Sequence, residues 1–229
     1  MCGRFTLSTS VEQIVQVFGI TRGPAELPPR YNIAPTQDAP VVRERAGERR
    51  LDALRWGLIP PWTRSDEPPR APLINARAET AARKPSFRRA ISERRCLVPA
   101  DGFYEWERTS RARLPLLFRL PDGGPFALAG LWERWDADPE RGPVESFTIL
   151  TTEANALVAP YHDRMPVVIP PEAFARWLDP ALSDADLLQD LLAPFPAEAM
   201  QVVPLDPYVN DVRHEGPACL ARRLTLFDL

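Results

Sequence analysis

Cysteine, histidine and lysine are all scarce in this chain, and each shortage excludes something. The three cysteines, Cys2, Cys96 and Cys219, show no CxxC spacing and leave an odd one over. That argues against a disulfide framework and against a zinc site, and a reducing cytosol fits it best. Nothing implies a metal or an organic cofactor. Histidine occurs twice, and Lys84 is the one lysine among 28 basic residues. The rest are arginine, which suits bidentate phosphate contacts. No apolar run approaches the roughly 18 residues needed to span a membrane. The first residues lack the basic-then-apolar pattern of a secretory leader. A cytoplasmic protein with no membrane partner is expected, nucleoid-associated if its source is bacterial.

Of the 229 residues, 45% are hydrophobic, enough for one good core or two fused subdomains. Residues 1–113 hold 20 basic and 13 acidic side chains, and residues 114–229 hold 8 and 18, so a net +7 gives way to a net −10. This asymmetry points to one positive face, against the plainer reading that charges merely solvate helices. Twenty-seven prolines cut the chain into short elements. The pattern Thr9-x-x-Glu12, followed by Val11, Ile14, Val15 and Phe18, predicts a helix over 10–18 opened by a capping box and ended by Gly19. Helices are also predicted over 76–94 (interrupted at Pro85), 153–158, 171–178 and 184–192. Strands are predicted over 51–58, 96–98, 102–106, 114–119, 126–132, 145–151, 166–169 and 200–203. This is an α+β pattern: a single domain with a curved, largely antiparallel, barrel-like β-core and peripheral helices.

The chain opens Met1-Cys2-Gly3-Arg4-Phe5. A small second residue lets the initiator methionine be removed, which would give Cys2 a free α-amine beside its thiol. The amine, with a pKa near ~7.7–8.0, and the thiol, near ~8.5, are both partly available as nucleophiles at neutral pH. Such a 1,2-aminothiol condenses with an aldehyde to an imine and closes to a thiazolidine. The plain alternative is a chance cysteine near a frayed end. Four further segments are denser in functional groups than packing requires. One is Leu73-Ile74-Asn75-Ala76-Arg77-Ala78-Glu79. In Cys96–Trp106, Glu105 sits among apolar and aromatic residues, so it is either paired with an arginine or suited to proton transfer. In Tyr161–Pro166, His162 is a proton donor near neutral pH or a hydrogen-bonded structural histidine. In Arg55–Trp62, the Pro60-Pro61-Trp62 edge could stack on bases, or be an ordinary stiff loop.

Together MCGRF, YNIAPTQ (31–37), RWGLIPPW, NARAET, CLVPADGFYEW and HDRMPVVI resemble, in order and spacing, the SRAP family (SOS-response-associated peptidase), over about residues 2–215. The resemblance implies a mixed α+β fold with a positive groove that binds single-stranded DNA, or a single/double-strand junction, carrying an abasic site. It implies a thiazolidine crosslink made by Cys2, which shields the lesion in the damage response. By the same resemblance Asn75 positions the aminothiol or sugar, Glu105 is the acid/base beside the amine, and His162 is the acid/base near the opened sugar oxygen. Arg4, Arg77 and Arg164 are the implied phosphate contacts. Pro35 and Trp62 stand where the family splays DNA. A lyase-like imine chemistry goes with these roles, and the family's name adds peptidase autoprocessing.

Residues 216–229 form a tail beyond this match. Its end, with Leu224, Leu226 and Phe227, resembles the short bacterial sliding-clamp motif, although Arg223 replaces the usual Gln. A last strand packed on the core is the alternative. Two enzyme classes compete with the crosslinking reading: an N-terminal-cysteine amidotransferase or amidohydrolase, and a thiol autoprotease. A plain single-strand-binding module is the non-enzymatic alternative. A monomer is expected.

Overall fold

Ser10 starts the first helix. Its hydroxyl accepts the Gln13 N–H, and Gly19 ends the helix at φ 62. The predicted helix therefore forms, but Thr9 is not its cap. Thr9 and Ser8 instead bond Asp101, whose carboxylate accepts both their backbone N–H groups and both hydroxyls. In this computed structural model the described residues are 2–64, 71–108, 112–136 and 142–223. Their elements run, in chain order, β1 (Phe5–Leu7), α1 (Val11–Phe18), β2 (Arg30–Ile33), β3 (Asp38–Arg45), β4 (Glu48–Trp56), β5 (Asn75–Arg77), α2 (Ala78–Ala81), α3 (Pro85–Glu93), β6 (Arg95–Ala100), β7 (Gly102–Arg108), β8 (Arg113–Arg119), β9 (Phe126–Trp135), β10 (Val144–Glu153), β11 (Arg164–Pro166), β12 (Val168–Ile169), α4 (Phe174–Leu178) and β13 (Gln201–Pro204). Short 3₁₀ turns fill much of the C-terminal part.

The strands form two sheets. One has five strands in the order β13-β8-β7-β1-β2. The other has eight, in the order β11-β10-β4-β3-β6-β9-β12 with β5 beside β10, and it returns on itself through a β9–β10 pairing. Among the described strands, β4 and β5 run parallel to their neighbour β10, and the other strand pairings are antiparallel. The largely antiparallel α+β core expected from sequence is the one that forms. The main core is centred on Phe5, Trp56, Phe147, Leu97 and Ile149. A smaller one, with Tyr104, Leu117, Val203, Leu205, Val209 and Cys219, lies under the five-stranded sheet.

Local chemistry explains where the expected elements differ. The stretch expected to be helical over 76–94 and interrupted at Pro85 forms as α2 and α3, broken just ahead of Pro85, which opens α3, but Ala76 and Arg77 are not helical and pair with β10 as a strand. Residues 153–158 are not a helix either. The Asn155 side chain accepts the N–H groups of Leu157 and Val158, holding the chain in a turn. Residues 184–192 are helical, but 3₁₀ in type. Gly102 is required by close packing, since a Cβ there would lie 2.6 Å from Leu117 Cδ1 and 2.9 Å from the Phe118 carbonyl. No helix among the described residues is long and apolar enough to cross a membrane.

Candidate functional site

The chain start is drawn under a cleft by β1. Phe5 pairs with Phe103 of β7 on one side and Ile33 of β2 on the other, so Cys2, Gly3 and Arg4 lie against the strand that carries Glu105. The cleft consists of two adjoining hollows of about 370 and 290 Å³. Glu105, Trp106, Arg113 and His162 line both, and Gly3, Arg4 and Asn210 add to the first.

Cys2 is fully buried, its Sγ 4.0 Å from the Arg4 carbonyl. Burial, and then the nearby Glu105 carboxylate, push its thiol up to about 12, so it carries its proton at neutral pH. Asn75 donates from Nδ2 to the Cys2 carbonyl at 2.8 Å, while its Oδ1 is buried with no hydrogen-bond partner among the described residues. Glu105 is buried, at 6% exposure. His162 closes the turn before β11. Its Nδ1 accepts the Arg164 N–H at 2.9 Å and lies 3.0 Å from Asp163 Oδ1. Four sequence-predicted residues, Cys2, Asn75, Glu105 and His162, thus meet at one place.

The predicted phosphate contacts fall into two environments. Arg4 is buried beneath the cleft. It donates to Asn32 Oδ1 at 2.5 Å and to the Val209 carbonyl at 3.3 Å, with its guanidinium 5.6 Å from the Trp106 ring centre. Arg77 is exposed at the end of β5, paired with Thr151 of β10. Arg164 bonds the Thr151 carbonyl and clasps the Glu79 carboxylate at 2.7 and 2.9 Å, which holds that carboxyl below its usual range. Arg77 and Arg164 therefore flank one residue of the eight-stranded sheet.

Pro35 and Trp62 line neither hollow. Pro35 begins a turn in which Gln37 N–H bonds the Ala34 carbonyl and Thr36 sits at φ 73. That left-handed conformation is costly for a β-branched residue and is held by Thr36 N–H to the Trp56 carbonyl at 2.8 Å. Trp62 is 58% exposed, on a turn whose Thr63 carbonyl accepts the Trp135 indole N–H. Gly57, at φ 125 with Pro72 where its Cβ would be, turns the chain out of β4 toward that edge. The clamp-like residues Leu224, Leu226 and Phe227 lie outside the described residues. Among those described, no group of three or more Cys, His, Asp or Glu side chains is arranged for a metal.

Sequence reasoning missed Asn32, Asn210 and Arg113. Asn32 is 1% exposed, and its amide donates to the carbonyls of Val209, Asp211 and His214, at 3.3, 2.9 and 2.8 Å, while its oxygen accepts from Arg4. It ties the N-terminal segment to the 209–214 loop that brings Asn210 to the cleft. A lone amide between Tyr31 and Ile33 was the available signal.

An α+β domain that sets a cysteine near its N-terminus among an amide, a carboxylate and an imidazole defines a narrow class. The chain belongs to the SOS response associated peptidase (SRAP) family, whose pattern spans residues 1–212. It is 42% identical to the "Abasic site processing protein YoqW" of Bacillus subtilis over 220 residues, covering 95% of this chain and 97% of that one. It is 32% identical to the "Abasic site processing protein YedK" of Escherichia coli, covering 94% and 97%. A solved structure from Bacteroides thetaiotaomicron superposes with a TM-score of 0.84 at 27% identity, covering 97% of this chain and all of that one. One from Bordetella bronchiseptica gives 0.78 at 31%, covering 90% and 100%.

Proposed function

We propose that this protein binds single-stranded DNA, or a single/double-strand junction, at an abasic site and joins itself to the lesion through Cys2 once Met1 is removed. The observation that carries this reading is the Asn75 bond to the Cys2 carbonyl beneath a cleft shared by Glu105 and His162. The names of its relatives support the substrate.

The order of steps follows from the burial of the thiol. An amine released on Cys2 adds to the aldehyde carbon of the ring-opened sugar. Water leaves as the C=N bond forms. The neutral thiol then adds across that bond, its sulfur going to carbon and its proton ending on nitrogen. No thiolate is needed, which suits a thiol held near 12. Glu105 takes and returns the amine proton. His162 serves the sugar oxygen as the acid/base there. Asn75 fixes the Cys2 backbone so that amine and thiol reach the same carbon. Arg4, Arg77 and Arg164 hold the flanking phosphates, and Trp62 and Pro35 splay the strand.

The test is a denaturing-gel assay with protein shown by intact mass to lack Met1 and a single-stranded oligonucleotide carrying one abasic site. A heat-stable shifted band is expected, absent with undamaged oligonucleotide and with Cys2→Ala. That variant keeps an amine and is expected to cleave the strand weakly through its imine. No band from wild-type protein lacking Met1 would overturn the reading and bring a glutaminase assay, for the amidotransferase class, to the front.

A further inference from the structure

Arg113 is the exposed cation of the cleft lining, and it is held in place from two directions. Its guanidinium lies 5.6 Å from the centre of the Trp106 indole, the same distance as that of Arg4, so two cations flank one ring. Its backbone carbonyl accepts the Asn210 amide at 3.0 Å, and Asn210 Oδ1 accepts the Trp106 indole N–H at 2.7 Å. Trp106, Asn210 and Arg113 thus close a triangle at the start of β8. No carboxylate of the described residues lies within ion-pairing distance of the Arg113 side chain. Arg164, by contrast, is clasped by Glu79, and Arg4 is buried on Asn32.

We infer that Arg113, laid on Trp106, is a phosphate-binding subsite that takes a backbone phosphodiester of the strand entering the cleft. This rests on the DNA reading above and extends it. Arg77 and Arg164 belong to the eight-stranded sheet and Arg113 to the five-stranded one. A strand lying in the cleft is then gripped from both sheets, with the abasic sugar over Cys2 between them. The chemistry fits the position. A guanidinium has in-plane donors for two phosphate oxygens, and its position over the Trp106 indole, 5.6 Å from the ring centre, keeps the charge at the cleft while the side chain stays exposed. Arg113 is exposed at the mouth of the cleft, where an incoming phosphodiester reaches it without being buried.

The experiment is an equilibrium salt titration on a single-stranded oligonucleotide bearing a tetrahydrofuran abasic analogue, which has no aldehyde and cannot crosslink. Wild type, Arg113→Gln, Arg113→Lys and Arg88→Gln are compared. Arg88 carries the same charge on α3, outside the cleft lining. Arg113→Gln is expected to lower the magnitude of the log–log salt slope by about 0.7, the release of one counterion from single-stranded DNA. Arg113→Lys is expected to keep the slope, because it keeps the charge. Arg88→Gln is expected to match wild type. An unchanged slope in Arg113→Gln overturns the subsite while leaving the crosslinking function standing. A slope lowered equally by Arg88→Gln also overturns it, since the effect would then be one of net charge. Wild type that neither binds the analogue nor crosslinks an authentic abasic site brings down the function and the subsite together.

Discussion

Two buried arginines, Arg43 within the eight-stranded sheet and Arg4 at the edge of the five-stranded one, are treated in opposite ways. Arg43, in the eight-stranded sheet, is 2% exposed and bonds both Asp52 and Glu145, at 2.7 and 2.5 Å, with Trp132 stacked 4.4 Å from its guanidinium. Burial pulls on its proton, but the two carboxylates more than offset this, and its pKa ends above the ordinary value. Arg4, one residue ahead of β1 in the five-stranded sheet, has an amide oxygen and a carbonyl as its hydrogen-bond acceptors, and burial leaves its pKa lowered. One cation is neutralised and serves the fold. The other keeps much of its positive field unspent, and it lies beneath the cleft. An underpaired buried charge is a poor choice for stability alone, which makes it informative where an anionic ligand is proposed to sit.

The sharpest way to break this comparison is to remove each arginine. Arg43→Met leaves Asp52 and Glu145 facing each other with no cation between them. It is expected to lower the unfolding free energy by about 2–3 kcal/mol, the loss of charge-assisted bonds to two half-buried carboxylates, of which Glu145 keeps Arg45. Arg4→Met strands only the Asn32 oxygen and is expected to cost about 1–2 kcal/mol. Urea midpoints read both. Abasic-DNA binding by the folded fraction should reverse the order, with Arg4→Met more than tenfold weaker and Arg43→Met close to wild type. Equal stability losses, or equal binding, would mean that the two arginines do the same job.

How far the site could be read from the sequence follows the same division. Elements such as β9 and β10 are legible because they carry runs of apolar, aromatic and β-branched residues, and both are buried along most of their length. The strand β3 is not. Pro40 and the charged run Arg43-Glu44-Arg45 argue against a strand, yet β3 meets β6 only at Val42, which leaves Pro40 outside that pairing. Asn75, Glu105 and His162 stand out as polar groups in apolar or turn settings. Arg4 and Arg43 are indistinguishable as letters, because what separates them is the partner that the fold brings across 28 residues in one case and 102 in the other. The burial of Cys2 is equally invisible, since it depends on β1 being threaded between β2 and β7.

The buried thiols sharpen the comparison through pH. Cys2, at the five-stranded sheet, and Cys96, in the eight-stranded one, are both pushed up to about 12 from 9.0, first by burial. The folded state then holds protons that the unfolded chain releases. Stability is therefore unaffected below about pH 9 and falls as pH rises from about 9 to about 12, by no more than about 1.4 kcal/mol per pH unit for each thiol. Urea midpoints of wild type, Cys2→Ala and Cys96→Ala across pH 8 to 11 check this. Each alanine should flatten the alkaline slope by a similar amount. A slope that does not move would show that the thiol already ionises near 9 in the folded protein. For Cys2, that would favour a thiolate mechanism over the imine-first order.

The smallest stability effect is expected at Trp62, where the eight-stranded sheet runs out into the Pro60–Thr63 turn. At 58% exposure the indole holds little buried area, and the turn is secured by backbone bonds from Thr63 to Pro60 and from the Trp135 indole to Thr63. Trp62→Ala should therefore shift the unfolding free energy by less than about 0.5 kcal/mol. If the ring stacks on a base, the same change should weaken single-strand binding by about 1–3 kcal/mol. A residue that costs the fold almost nothing and the complex a good deal is the signature of a DNA contact. The reverse outcome, lost stability with unchanged binding, would make Trp62 a support of its own turn and leave the Arg77, Arg164 and Arg113 positions as the proposed grip on the strand.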